Sequence, residues 1–141
     1  MSVMDWARWN QNAHPELELL HHCPNGGSRN KAEAVKLKRM GVKAGIPDLC
    51  LPVPMGMYSG LYIEMKYDAG RLEDSQKKML KALAAAGHYC TVCYGAEEAI
   101  RVLQEYINLK KIDTGNREDT MSEQNLMVRK NGKVKCIIFK E

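Results

Sequence analysis

Two neighbouring runs of alternating apolar residues, 48–53 and 61–66, most constrain what this chain can fold into. Successive side chains of a strand point to opposite faces, so each run predicts a strand with one apolar face. Asp48 lies on the less apolar face of the first run, and Glu64 and Lys66 share one face of the second. If the strands pair antiparallel, Asp48 lies opposite Glu64, with their Cβ atoms about 4.5–5.5 Å apart.

These three residues form a candidate site for phosphodiester cleavage. Two neighbouring carboxylates can hold a hard divalent cation through oxygen, and a lysine beside them can meet the charge of a phosphate. The same residues also fit a surface hairpin that carries a Glu–Lys ion pair. A short pattern of this kind therefore needs a confirming context.

The composition is that of an ordinary globular chain. Its 141 residues, 45% of them hydrophobic and 27% charged, fit one domain with a sizeable core. The 21 basic and 17 acidic residues give a formal net charge of +4, which is compatible with nucleic acid without requiring it. The longest apolar runs are too short to span a bilayer and no leader pattern opens the chain, so we expect no membrane partner.

The five cysteines are an odd set without the spacing of a small secreted protein. This pattern predicts reduced thiols and a cytoplasmic location. Cys90 and Cys93 form a CxxC inside an apolar, strand-like run, where residues three apart face opposite sides. With no second pair to complete a zinc site, we interpret them as core cysteines.

Helices and strands follow one another in an order that predicts an α/β fold with a mixed sheet. The predicted elements are a helix at 4–12, a strand at 17–22, a helix from a Ser28 or Asn30 cap to Gly41, the two strands above, a helix at 73–86, a strand at 89–94 and a helix at 96–108. In the first helix Trp6 and Trp9 share a face, which favours core or subunit-contact residues over a base-stacking platform. In the second helix the apolar residues recur at the helical period.

The C-terminal part of the chain predicts a polar linker at 109–123 and a hairpin at 126–139. Asn131-Gly132 is a strong signal for a two-residue turn. Four basic residues crowd the predicted tip: Arg129, Lys130, Lys133 and Lys135. They fit either a solvated edge or a flap that contacts DNA or caps a dimer. We therefore predict one domain over 1–108, with a linker and hairpin extension over 109–141 packed on or near it.

Several spaced motifs place the central part of the chain in a known group. They lie at 23–29, 31–34, 41–48, 60–66, 70–72 with Gln76, and 94–99, with Gly87 between the last two. With these motifs in this order, the chain from about His22 to Tyr106 resembles the VRR-NUC family, a branch of the PD-(D/E)xK nuclease superfamily. The resemblance implies a restriction-endonuclease-like mixed sheet flanked by helices, to which this chain adds its C-terminal hairpin.

The resemblance also implies a catalytic site that uses Mg²⁺ or Mn²⁺. Asp48 and Glu64 would be its ligands, with the backbone carbonyl of Met65 as a third. Lys66 would orient the attacking water or stabilise the transition state. In related nucleases a glutamine at the position of Gln76 supports the lysine or the water, although a polar residue is also ordinary on the surface of a first helical turn.

DNA is the partner that the resemblance implies. Backbone groups near the start of the second helix could take a DNA phosphate, and nearby cations could contact the backbone. The candidate DNA-binding residues are Asn25, Gly26, Gly27, Ser28, Arg29, Lys31, Lys43 and Arg71. Stand-alone family members of this size resemble phage and bacterial proteins that act as homodimers on branched DNA such as four-way junctions, which implies the host cytoplasm for a phage-encoded chain.

One departure from the family pattern affects the metal site. Family members commonly carry a glutamate in a longer first helix, and this chain has no clear counterpart. Asp5 is poorly placed, and Glu16 and Glu18 follow the helix. Either the site uses fewer ligands, or a carboxylate from elsewhere in the chain contributes. A module that binds DNA without cutting it and a restriction-type enzyme for ordinary duplex are the alternative functions.

Overall fold

The computed structural model describes residues 1–24, 30–109 and 125–138. Within these ranges four α-helices surround a six-stranded sheet, and a 3₁₀ helix at Pro15–Leu19 links the first helix to the first strand. The helices are α1 (Val3–Asn10), α2 (Lys31–Arg39), α3 (Asp74–Ala85) and α4 (Ala96–Ile107). The strands are β1 (His21–His22), β2 (Leu49–Leu51), β3 (Leu61–Lys66), β4 (Tyr89–Tyr94), β5 (Asn125–Lys130) and β6 (Lys133–Ile138).

The sheet is mixed, as the sequence predicts, and its strands lie in chain order. The pairs β1–β2, β2–β3 and β5–β6 are antiparallel, whereas β3–β4 and β4–β5 are parallel. Parallel neighbours need a crossover connection, and α3 supplies it between β3 and β4. None of the helices in the described ranges is long and apolar enough to cross a membrane.

The two faces of the sheet carry separate apolar clusters. On one face α1, the 3₁₀ helix and α4 pack against the inner strands. The other face is covered by α3, through Leu80. Cys93 belongs to the first cluster and Cys90 to the second, both fully buried. The prediction that they are core cysteines on opposite faces is confirmed.

Helix α2 lies outside both clusters and buries none of its residues. The helix is capped at Asn30, whose side chain accepts a hydrogen bond from the backbone N–H of Glu33, and Gly41 follows it with a φ of +98°. Met40, at its C-terminal end, is 71% exposed and Val35 is also exposed. The segment is therefore helical, as its apolar period predicts, but its apolar side chains do not pack into the core.

The predicted strand at 17–22 is wrong over most of its length. Residues up to Leu19 form the 3₁₀ helix, and only His21 and His22 pair with β2. A 3₁₀ helix has three residues per turn, so Leu17 and Leu20 lie on the same buried side. This burial explains why a 3₁₀ helix forms before the short strand. The tryptophans also separate: Trp6 packs against the core, but Trp9 is 75% exposed.

The C-terminal hairpin extends the same sheet, because β5 pairs with β4. Asn131 and Gly132 both have positive φ angles, 51° and 71°, so the predicted two-residue turn is confirmed. The interpretation of Arg129 as part of a solvated tip is wrong. Its guanidinium is buried, donates to Glu105 at 2.7 Å and contacts the hydroxyl of Tyr89. The predicted linker beyond Leu109 lies outside the described residues, and the division at residue 108 stays a prediction.

Candidate active site

Asp48 and Glu64 come together at the point where β2 begins and β3 nears its end. Leu49 pairs with Ile63 in the antiparallel register, so the preceding Asp48 lies beside Glu64 on the same face. Asp48 Oδ2 accepts a hydrogen bond of 2.7 Å from the backbone N–H of Met65. Because that N–H lies within β3, the bond fixes the Asp48 side chain against the strand that carries Glu64.

Glu64 is a buried carboxyl next to another carboxylate, with only 3% of its surface exposed. Burial is the larger cause that raises its pKa, the neighbouring Asp48 is the next, and together they bring it to about 8. Lys66 lowers it in part, with Nζ 3.9 Å from Glu64 Oε1. Among the described residues, no N–H or O–H group reaches Glu64 Oε2. The polar group beside it is the Asp48 carboxylate, which accepts a hydrogen bond from Glu64 while Glu64 is protonated. A cation between the two carboxylates would take the place of that proton.

The chemistry of these donors suits Mg²⁺ or Mn²⁺, since hard divalent cations take oxygen ligands and keep several waters. Asp48 and Glu64 supply two adjacent carboxylates for it. The described part of the chain holds no group of three or more acidic, histidine or cysteine residues arranged around one cation. Within this part of the chain, the remaining ligands would be backbone carbonyl, water or phosphate oxygens.

Gln76 connects Glu64 to the start of α3. Its Nε2 donates to Glu64 Oε1 at 3.2 Å, and its Oε1 accepts the backbone N–H of Glu73 at 2.9 Å. Because a glutamine carries both donor and acceptor, one side chain closes the helix start and orients the buried carboxylate. Gln76 therefore faces the site rather than a free helix surface.

Gly45 explains how the loop before β2 reaches α3. It has a φ of +83°, and a Cβ at this position would collide with the backbone carbonyl of Ser75 in the first turn of α3. Only glycine allows both the left-handed conformation and this close approach. The loop thus passes directly over the helix start, which brings Asp48 and Gln76 to one cleft.

An open cleft of about 790 Å³ lies between α2 and the start of α3. Its charged and polar lining comprises Lys38, Lys43, Asp48, Glu64, Glu73, Ser75 and Gln76. Of the two lysines and Glu73, only Lys43 was predicted from the sequence as a site residue. Lys31 and Arg71 are exposed and do not line this cleft, and the proposed phosphate-binding residues 25–29 lie outside the described residues.

Glu73 is the carboxylate that sequence analysis missed. It caps α3, lines the cleft and contributes to the raised pKa of Glu64. Its spacing of three from Gln76 is the signature of a capping box, which could have drawn attention to it. The acidic residues near the N-terminus lie elsewhere: Asp5 binds Ser2 and Arg8 on α1, and Glu16 pairs with His14.

The mixed sheet brings Asp48, Glu64 and Gln76 to one cleft, and Lys66 lies beside Glu64 without lining that cleft. The model of the VRR-NUC domain family matches residues 2–97. A solved structure described as a VRR_NUC domain protein is 38% identical, with a TM-score of 0.67, over 79% of this chain and 86% of that one. The chain belongs to the VRR-NUC domain family. Comparison with curated proteins gives no match.

Proposed function

We propose that this chain is a Mg²⁺- or Mn²⁺-dependent DNA endonuclease that acts as a homodimer on branched DNA. One observation carries the metal dependence: the buried Glu64 Oε2 has no donor among the described residues and lies beside Asp48. These two carboxylates and the backbone carbonyl of Met65 would hold the ion. When bound, it would activate a water and offset the charge that builds on the phosphate.

The remaining side chains position the reacting groups. Lys66, largely buried beside Glu64, provides a compact positive charge for the phosphate or the attacking water. Gln76 fixes the orientation of the Glu64 carboxylate through its 3.2 Å hydrogen bond. Lys38 and Lys43 line the cleft and would meet the phosphates of a DNA strand on its way to the site.

Branched DNA and the homodimer rest on the likeness to small family members. One chain offers a single pair of site carboxylates within its described residues, and paired incisions in opposite strands need two such sites. The exposed Trp9 is a candidate subunit contact. A cytoplasmic location, as the cysteines predict, is consistent with this function.

The test is cleavage of labelled junction, flap and linear duplex in Mg²⁺, Mn²⁺ or EDTA. We expect metal-dependent cutting by the wild type, strongest on the junction, and a loss of at least about 10³-fold in Asp48→Ala and Glu64→Ala. Both variants should still bind DNA. Glu18→Ala, which removes an exposed carboxylate of the 3₁₀ helix, is the matched control and should cut like the wild type. Equal cutting by all four proteins would refute the site.

A non-cleaving DNA-binding module is the second candidate. It is favoured by the absence of a three-carboxylate cluster among the described residues. Calorimetric titration of the protein with Mn²⁺ separates the two functions. Saturable binding that is lost in Glu64→Gln supports the nuclease, whereas no binding in the presence or absence of DNA supports the module.

A further inference from the structure

The loop that follows β3 lies beside the stem of Lys66. A Cβ added to Gly70 would lie 3.6 Å from Lys66 Cδ, an ordinary van der Waals distance, and 3.1 Å from the carbonyl oxygen of Tyr67. The backbone N–H of Gly70 donates to that carbonyl at 2.9 Å and closes the turn. The loop therefore lies along one side of the Lys66 stem.

One residue of this loop adopts a left-handed backbone conformation. Asp68 has a φ of +50°, a region in which aspartate is more frequent than most residues other than glycine. Contacts around the loop hold it in this turn. Two residues from neighbouring strands supply those contacts.

Tyr94, at the end of β4, and Lys130, at the end of β5, hold the loop by its carbonyl groups. The Tyr94 hydroxyl donates to the carbonyl of Gly70 at 2.6 Å. Lys130 Nζ donates to the carbonyl of Asp68 at 3.2 Å and lies 4.5 Å above the Tyr94 ring. The cation–π contact joins the two anchors into one unit.

We propose that Lys130 is a positioning residue for Lys66. It acts through the loop at 67–70, and it reaches that loop from the C-terminal hairpin, beyond the residues 2–97 that the family model matches. A lysine side chain has four flexible bonds, so its ammonium is precise only where neighbours restrict its stem. The proposal rests on the proposed nuclease function, because it assumes that Lys66 takes part in cleavage.

The first experiment measures cleavage by Lys130→Ala, Lys130→Arg and Lys135→Ala. Misplacement of a reacting group by about 1 Å costs up to about 100-fold, so we expect Lys130→Ala to lower kcat by about 10- to 100-fold with little change in KM. Lys130→Arg keeps both the donor and the cation–π contact and should restore most of kcat. Lys135, exposed on the same hairpin, is the matched control and should change neither constant.

The second experiment follows the loop without cleavage, by NMR-detected exchange of the Gly70 amide. Lys130→Ala and Tyr94→Phe should each exchange faster, by about fivefold for the loss of one hydrogen bond, and Lys130→Arg should resemble the wild type. This readout remains valid if the wild type cuts no DNA. In that case the proposed function fails, while accelerated exchange still shows the contact between Lys130 and the loop.

Three outcomes would overturn the proposal. Unchanged exchange in Lys130→Ala removes the mechanical link, whatever the cleavage data show. A rise in KM shared by Lys130→Ala and Lys135→Ala, and abolished at high salt, makes the hairpin a DNA-contacting flap instead. A lower melting temperature with normal kcat reduces Lys130 to a purely structural contact.

Discussion

The two faces of the sheet contrast in how completely they are covered. On the face under α1 and α4, residues such as Leu103 and Ile63 are fully buried in one continuous cluster. On the other face, α3 covers a smaller cluster, and the sheet then opens into the cleft beside α2. None of the residues of α2 is buried. Asp48 and Glu64 lie at that opening.

This difference places the larger apolar core and the two adjacent carboxylates on separate faces of the sheet. Burying a carboxyl group beside a second carboxylate lowers the free energy of unfolding. The apolar cluster on the opposite face offsets that loss. Both faces share β3, in which Ile63 packs inward while Glu64 points to the cleft. Substitutions on the two faces should therefore affect different measurements.

The largest effect on stability is expected on the covered face. Leu103→Ala removes a fully buried side chain from α4 and leaves a cavity, which should lower the free energy of unfolding by about 2–5 kcal/mol. Urea denaturation measures the loss. Cleavage per folded molecule should stay near the wild-type level, and a fall in activity larger than the unfolded fraction explains would contradict the separation of the faces.

The next effect is a pH dependence that originates at the cleft. The pKa of Glu64 is raised to about 8 in the folded metal-free protein, from 4.5 in an ordinary environment. Between these values the folded chain keeps a proton that the unfolded chain has released, so raising the pH lowers stability. The loss between pH 5 and pH 8 should be up to about 3 kcal/mol, since one pKa unit corresponds to about 1.4 kcal/mol.

Denaturation in EDTA across this pH range tests that prediction. Glu64→Gln removes this titrating group, so it should lose the part of the pH dependence that Glu64 causes and be more stable than the wild type at pH 8. Mn²⁺ should stabilise the wild type most at the alkaline end and leave Glu64→Gln unchanged, because the ion competes with the proton. Parallel pH curves for both proteins would show that Glu64 titrates normally.

Local patterns predicted the elements whose determinants lie within a few residues. The alternation in 61–66 gives β3, Asn131-Gly132 gives the turn, and the CxxC spacing separates Cys90 from Cys93. The pairing that brings Asp48 to Glu64 also followed from two alternating runs. Apolar residues recur every two residues in a strand and about every 3.6 residues in a helix, so these elements are visible in the sequence itself.

Contacts between distant segments could not be read from those periods. Arg129 is buried because Glu105 of α4, 24 positions earlier in the chain, pairs with its guanidinium. The close approach of Gly45 to Ser75 depends on where α3 begins. The position of Glu73 in the lining of the cleft depends on that approach in turn. In the same way, the helical period of α2 specifies a helix but not a partner for its apolar side chains.

The smallest effect is therefore expected on α2. Met40→Ala alters an exposed side chain and should change the free energy of unfolding by less than about 0.5 kcal/mol, whereas the same substitution at the buried Met55 should cost about 2 kcal/mol or more. Met40 is 71% exposed and Met55 is 8% exposed, so the pair compares the open end of α2 with the covered core. A contradictory result would be an equal loss of unfolding free energy in Met40→Ala and Met55→Ala that grows with protein concentration. A second copy of the chain would then cover α2 in solution, and this face would be exposed only in the isolated chain.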